Sequence, residues 1–207
     1  MAAPAYDWLD SMIWSVGIAS VVIGVSALKS KINNGVADDG NNGSFLGASA
    51  FLLLLIGLFL FVSGLAIGII WSFPMSGGVY NVLFSGASAL GGIMLIAISI
   101  TLIRKVDLRI LSYGALLFGI YLFDVAYSIA SYKLTKTPDF SATIFSVLGL
   151  ASILSVPATH LRNTWILRIF AVVAIVAGLL WLFEAYNVTY SHLAPPPPQT
   201  TTTPKSS

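Results

Sequence analysis

Residues 45–73 read FLGASAFLLLLIGLFLFVSGLAIGIIWSF and contain no charged residue. A helix rises about 1.5 Å per residue, so about 20 apolar residues cross the roughly 30 Å hydrocarbon core of a bilayer. In lipid every backbone polar group needs a partner within the protein, and this stretch lacks the alternating pattern of a membrane β-strand. It therefore predicts a transmembrane α-helix.

Five other segments of the chain are similarly long and apolar. Together with the first they predict helices at residues 9–28, 45–73, 81–103, 110–131, 141–157 and 165–186. The predicted fold class is therefore all-α, a polytopic membrane helix bundle with six transmembrane helices in one domain, residues 1–193. Residues 194–207 are rich in Pro, Thr and Ser and cannot bury enough apolar surface to fold, so we expect a disordered tail.

The composition agrees with a membrane protein and excludes several other classes. Hydrophobic residues make up 57% of the chain and charged residues 9%, and the mean hydropathy is +0.91, too apolar for the surface of a soluble domain. A net charge of +2 gives no reason to expect nucleic-acid binding. With no cysteine, disulfides, thiolate metal sites and cysteine nucleophiles are excluded.

The protein is expected in the cell membrane, with both termini outside the cell. The reason is that basic residues concentrate at one end of the predicted helices. In this orientation the cytoplasmic basic residues are Lys29, Lys31, Arg104, Lys105, Arg109, Arg162 and Arg168, and the external ones are Lys133, Lys136 and Lys205. The excess of positive charge on the cytoplasmic side favours this topology. The sequon at Asn187 and the stalk-like tail agree with an external C-terminus.

Ionisable residues at membrane depth are the first candidates for function, because a charge in hydrocarbon normally faces protein or water. Asp124 lies fifteen residues beyond Arg109, about 22 Å along its helix, and Glu184 lies sixteen beyond Arg168, about 24 Å. The two carboxylates are therefore expected at similar height in the outer leaflet.

Polar residues at helical spacing accompany each carboxylate. Tyr121 and Tyr127 share a face with Asp124, and Asn187 shares one with Glu184. These residues suggest an outward-facing pocket that binds a cation or exchanges protons, and its wall is expected to include Tyr80, Asn81 and Asp10. Alternatively, each acid hydrogen-bonds locally or reaches the headgroups and only fixes the register of its helix.

The chain lacks the catalytic or cofactor-binding groups that most classes of membrane enzyme need. A b-type haem is not expected, because both histidines, His160 and His192, lie at helix ends on opposite sides of the membrane. The chain has no zinc-protease motif, nucleophile elbow or phosphate-binding loop, and the acidic segment that begins at Asp38 fails as a calcium loop. No cofactor is predicted, and any metal remains unknown.

A resemblance to a known family rests on two short stretches. Pro74-Met75-Ser76-Gly77-Gly78-Val79-Tyr80-Asn81-Val82-Leu83-Phe84 enters the third predicted helix, and Tyr190-Ser191-His192-Leu193 closes the sixth. They resemble domain of unknown function 981, a family of archaeal multi-pass membrane proteins with a Gly-x-Tyr-Asn-x-x-Phe-like segment. The resemblance implies an archaeal cell membrane and no particular activity.

Three hypotheses of function remain open at this point. The first is a small ion- or proton-linked channel or permease with an outward-facing carboxylate site. The alternative is a non-catalytic membrane subunit of a larger assembly, and the third is a membrane enzyme with an extracytoplasmic site. The expected partners are the lipid bilayer and either a membrane protein or further copies of the chain.

Overall fold

A computed structural model of the chain describes residues 8–38, 43–70, 79–161 and 163–193. Its elements in chain order are α1 (Trp8–Lys29), β1 (Lys31–Asn33), β2 (Val36–Asp38), α2 (Gly43–Ile70), α3 (Val79–Arg104), α4 (Arg109–Tyr132), α5 (Pro138–His160) and α6 (Thr164–Leu193). All six helices are long and apolar enough to cross a membrane. They confirm the predicted all-α bundle, and the chain is a multi-pass membrane protein.

The helix bounds differ from the predicted ones mainly in the last two helices. Helix α5 continues past Pro157 to His160, because a proline removes only its own N–H and its carbonyl still accepts a hydrogen bond from the Leu161 N–H at 3.0 Å. Helix α6 continues seven residues beyond the apolar run that ends at Tyr186. The predicted end of the second helix at Phe73 and the predicted tail at 194–207 lie outside the described residues.

A two-stranded antiparallel hairpin joins α1 to α2, and the sequence reading did not anticipate it. Lys31 pairs with Asp38 and Asn33 with Val36. The turn residues Asn34 and Gly35 have φ values of 52° and 81°, as a two-residue type I′ hairpin requires. Asn-Gly is the sequence signal for this turn, but the strands are only three residues long.

The six helices form a ring. Each packs against the next in chain order, and α6 packs against α1 and closes the ring. The most extensive contacts are within the pairs α1–α6, α2–α3 and α4–α5. We call the end of the bundle that holds the start of α1 and the end of α6 the terminal face, and the opposite end, which carries the β-hairpin, the hairpin face.

A pair of glycines brings the backbones of each tight helix pair together. A Cβ atom added at Gly17 would lie 3.1 Å from the Gly178 carbonyl oxygen, and one at Gly178 would lie 2.8 Å from that of Gly17. The same reciprocal contact joins α2 to α3 and α4 to α5, through Gly57 with Gly92 and Gly119 with Gly149. Small residues allow such close approach in a membrane, where packing drives helix association.

Candidate functional site

The terminal cavity lies inside the helix ring, towards the terminal face, and has a volume of about 130 Å³. All six helices contribute to its wall. Each helix contributes at least one lining residue, and examples in chain order are Met12, Leu60, Phe84, Leu122, Phe145 and Trp181. The wall is therefore mostly aliphatic and aromatic.

The hairpin cavity lies inside the ring towards the hairpin face and has a volume of about 110 Å³. All six helices line it as well, and the hairpin adds Ile32 and Ala37. Ile23, Ile98 and Ala115 line both cavities. The two cavities therefore adjoin at these three residues, one after the other along the axis of the ring.

Hydroxyl groups interrupt the apolar wall of the hairpin cavity. The Ser112 hydroxyl donates to the Arg109 carbonyl oxygen at 2.7 Å, and the Thr159 hydroxyl donates to the Ser155 carbonyl oxygen at 2.9 Å. The Ser155 hydroxyl donates to the Ser152 carbonyl oxygen at 2.6 Å. Since each hydroxyl uses its hydrogen on the backbone, its oxygen lone pairs remain available to accept a hydrogen bond.

Each cavity also has one buried polar group in its wall that has no hydrogen-bond partner among the described residues. These groups are the Trp181 indole Nε1 in the terminal cavity and the Ser26 hydroxyl in the hairpin cavity. Both residues are only 6% exposed. The Trp181 ring is held in place by edge-on contact with Phe145, with 5.0 Å between ring centroids.

Two hydrogen bonds attach the hairpin to the connection between α3 and α4, and an ion pair within that connection positions one of their donors. Arg109 pairs with Asp107, and its guanidinium donates to the Asn34 carbonyl oxygen at 3.2 Å. The Leu108 N–H donates to the Gly35 carbonyl oxygen at 2.9 Å. The hydrogen bond from the Arg109 side chain lowers the pKa of Asp107 below its ordinary value of 3.8. These contacts fix the hairpin over the end of the hairpin cavity.

The carboxylates singled out from the sequence lie away from both cavities. Asp124 is exposed on the outer side of α4, and Glu184 is half-buried on α6. Within the described residues neither carboxylate forms an ion pair, and neither is among the residues that line the two cavities. Tyr127 is 70% exposed, and Asn187 is exposed as well.

Two of the other predicted site residues pack against side chains that line the terminal cavity. Tyr80 and Tyr121 are half-buried and pack against an apolar cluster that includes Trp181. Asn81 is fully buried, and Asp10 is half-buried. The structure thus brings Tyr80 and Tyr121 to one cluster, and the predicted carboxylate site stays a prediction. In the part of the chain that the structure describes, no group of three His, Asp or Glu could share a metal ion.

A family model described as "Protein of unknown function (DUF981)" matches residues 1–195. The chain belongs to this family. No curated protein matches the sequence. Among solved structures, the fold is similar to that of the Helicobacter pylori urea channel in its closed state, determined by cryo-electron microscopy. The TM-score is 0.71 at 16% sequence identity, over 90% of this chain and 100% of that chain.

The sequence reading of this DUF981 protein missed the residues that line the cavities. Ser26, Ser112 and Ser155 are hydroxyls within apolar helices, and such residues are common in membrane bundles for packing alone. Ser152, Ser155 and Thr159 follow helical spacing on α5 and are the one local signal that could have found part of the wall. The common position of the other side chains arises only when the ring closes.

Proposed function

We propose that this protein is a channel through which small uncharged solutes cross the membrane along the axis of the helix ring. The observation that carries the proposal is the pair of adjoining cavities, each lined by all six helices. The likeness in fold to a urea channel supports it. A solute that passes from one cavity to the other must pass Ile23 and Ile98, which line both.

The lining of the cavities favours neutral solutes. Among the described residues that line the two cavities, none has an ionisable side chain. Moving an ion out of water costs several kcal/mol even after the protein relaxes, whereas a neutral polar molecule loses only hydrogen bonds that the hydroxyls can partly replace. A single water needs roughly 10–15 Å³, so cavities of about 130 and 110 Å³ have room for a solute of several non-hydrogen atoms.

An ion- or proton-linked channel is the more specific hypothesis that the sequence suggested. It requires Asp124 or Glu184 to exchange ions or protons with the conducting route. Because both side chains lie outside the cavity walls, we favour the neutral solute. The ion-linked hypothesis stays a prediction. Comparing the entry of K⁺ and H⁺ with that of neutral solutes distinguishes it from a channel for neutral solutes.

The position of Asp124 favours assembly with another membrane protein or with further copies of the chain. Its carboxylate lies eight residues, about 12 Å, from the end of α4, on an exposed face with Ile120 and Tyr127. Insertion scales put a charge at the bilayer centre at roughly 2.5–3.5 kcal/mol, so protein is a better neighbour than lipid. Native mass spectrometry should find more than one protein chain per particle; a single copy alone would contradict assembly.

We further propose that the protein resides in the cell membrane, with the terminal face outside, as the basic residues of the hairpin face suggest. The chain contains no cysteine, so single-cysteine variants report topology cleanly. In intact cells, a membrane-impermeant thiol reagent should label Ser191→Cys and leave Asn33→Cys unlabelled. The reverse pattern would invert the proposed orientation.

Solute flux into proteoliposomes tests the proposed function. Stopped-flow light scattering would measure swelling in gradients of urea, acetamide and glycerol, and dyes would report K⁺ and H⁺ entry in the same vesicles. We expect at least one neutral solute to enter well above the rate of protein-free vesicles, with ion entry at the protein-free rate. Ion entry above that rate would favour the carboxylate hypothesis, and no flux of any kind would contradict a channel.

A further inference from the structure

We infer that the two cavities are two successive binding sites for small neutral amides, in which Trp181 and Ser26 donate hydrogen bonds to the carbonyl oxygen of the solute. The inference rests on the proposed function and names the class of solute for that route. It is carried by the hydrogen-bond donors and acceptors in the walls of the two cavities.

The terminal cavity offers a buried donor and several acceptors. The Trp181 side chain is only 6% exposed. Its indole N–H can only donate, and it has no hydrogen-bond partner among the described residues. Ser20 and Ser152 line the same cavity. Their hydroxyls already donate to backbone carbonyl oxygens of Ala174 and Leu148, at 2.8 and 3.0 Å, so their oxygens can act as acceptors.

The hairpin cavity repeats the same combination. The Ser26 hydroxyl, also 6% exposed, has no partner within the described residues. Ser112, Ser155 and Thr159 have used their hydrogens on backbone carbonyls. A solute in either cavity therefore meets a buried donor without a partner together with hydroxyl oxygens that can accept, and Ser88 and Ser30 add one hydroxyl to the terminal and the hairpin cavity, respectively, that can donate or accept.

A primary amide matches this combination. Its carbonyl oxygen accepts from the vacant donor, and its N–H groups donate to the hydroxyl oxygens, so that few of the hydrogen bonds lost on leaving water remain unmade. A buried donor without a partner costs free energy, and the same site therefore disfavours a solute that offers no acceptor. Polyols such as glycerol can form both kinds of bond but lack the strong carbonyl acceptor, and they are the natural comparison.

The direct test removes each donor while an aromatic side chain remains at position 181 and a small one at position 26. Trp181→Phe deletes the indole N–H, and Ser26→Ala deletes the hydroxyl. Matched controls are Trp14→Phe, whose indole N–H donates to the Thr189 hydroxyl at 3.1 Å outside the cavities, and Ser15→Ala on the same helix as Ser26. Permeability to acetamide and to glycerol is measured for each variant by vesicle swelling.

We expect Trp181→Phe and Ser26→Ala each to lower acetamide permeability about three- to tenfold, the effect of losing one hydrogen bond, and to lower the acetamide-to-glycerol ratio. The two controls should match the original protein. Acetamide flux unchanged in both variants, or acetamide and glycerol reduced equally, would overturn the inference while the channel itself still stood.

A second measurement keeps the inference testable if no solute crosses, which would be the failure of the proposed function. In ¹⁵N-indole spectra of the intact protein, assigned with the Trp→Phe variants, acetamide should shift the Trp181 N–H resonance in a saturable way and leave that of Trp14 unchanged. A shift at Trp181 supports an amide site without a channel. No shift, or equal shifts at both residues, would overturn it.

Discussion

The two cavities share six helices and one axis, yet their distal ends are built from different materials. Around the terminal cavity lie aromatic and aliphatic side chains such as Phe84, Phe145 and Trp181. The hairpin cavity ends against a β-hairpin, which is hydrogen-bonded to Leu108 and to Arg109, the partner of Asp107. In the proposed channel we therefore expect the terminal end to select through the chemistry of its wall and the hairpin to close the other end, through an attachment that single substitutions can weaken.

Of the substitutions that test this difference between the two ends, Gly35→Ala should give the largest change in neutral-solute flux. Gly35 has a φ of 81°, and an added Cβ would collide with the Asp107 carboxylate. A left-handed conformation costs an alanine about 1–2 kcal/mol before the collision, so the displaced hairpin should become at least about five- to thirtyfold more populated. Vesicle swelling should show faster entry of neutral solutes.

The matched control is Gly47→Ala on α2, where an added Cβ would meet no atom within 4 Å. It should leave the flux unchanged. Equal flux in Gly35→Ala and the original protein, with the substituted protein correctly folded, would contradict the role of the hairpin as a closure.

Asp107→Asn should give a smaller increase in flux, because the hydrogen bond from Leu108 to Gly35 remains. Asp139→Asn is the control, since Asp139 forms an exposed pair with Lys133 at the terminal face. If the two variants behave alike, the Asp107–Arg109 pair does not hold the hairpin.

The same pair predicts how the closure depends on pH. The pKa of Asp107 is lowered in the folded protein because its ionised carboxylate pairs with Arg109. The stabilisation that this pair gives is therefore present above the ordinary pKa of 3.8 and is lost as the pH falls through the lower folded pKa. Flux should therefore not change between about pH 5 and 8 through this group, and it should rise only in stronger acid. An increase centred near neutral pH would identify a different titrating group.

Asp124→Asn and Glu184→Gln should have the smallest effect. Neither side chain lines a cavity, so neutral-solute flux should stay at the original rate in both variants. Vesicle swelling and a pH-sensitive dye in the same vesicles would check this. A marked loss of flux, or a change in proton entry, would return these carboxylates to the centre of the mechanism.

The helices were predictable because hydropathy is a local property. Residues 45–73 and the five other apolar runs indicate the number of helices directly, and even a short connection such as Asn34-Gly35 carries a turn signal. The end of α6 was less predictable, because its helix continues into polar residues that hydropathy does not assign.

The candidate site was not predictable in the same way. Gly17 and Gly178 meet where α6 packs against α1 although 161 positions separate them, and only such contacts decide which helix faces point inwards. Charge at membrane depth drew attention to Asp124 and Glu184, whereas the cavity wall consists of neutral residues that resemble ordinary packing. The physical reason is that a route for neutral solutes needs no conspicuous residue types.

One measurement tests the axial route most directly. Ala115 lines both cavities. Because the chain contains no cysteine, the thiol of Ala115→Cys is the only one that reacts. It can be modified with a bulky neutral thiosulfonate in vesicles that already conduct the solute. Ala48→Cys, on an exposed part of α2, is the control. We expect modification at position 115 to reduce neutral-solute flux to the protein-free rate and modification at position 48 to leave it unchanged. Full flux after mass spectrometry has verified complete labelling at position 115 would contradict the axial route.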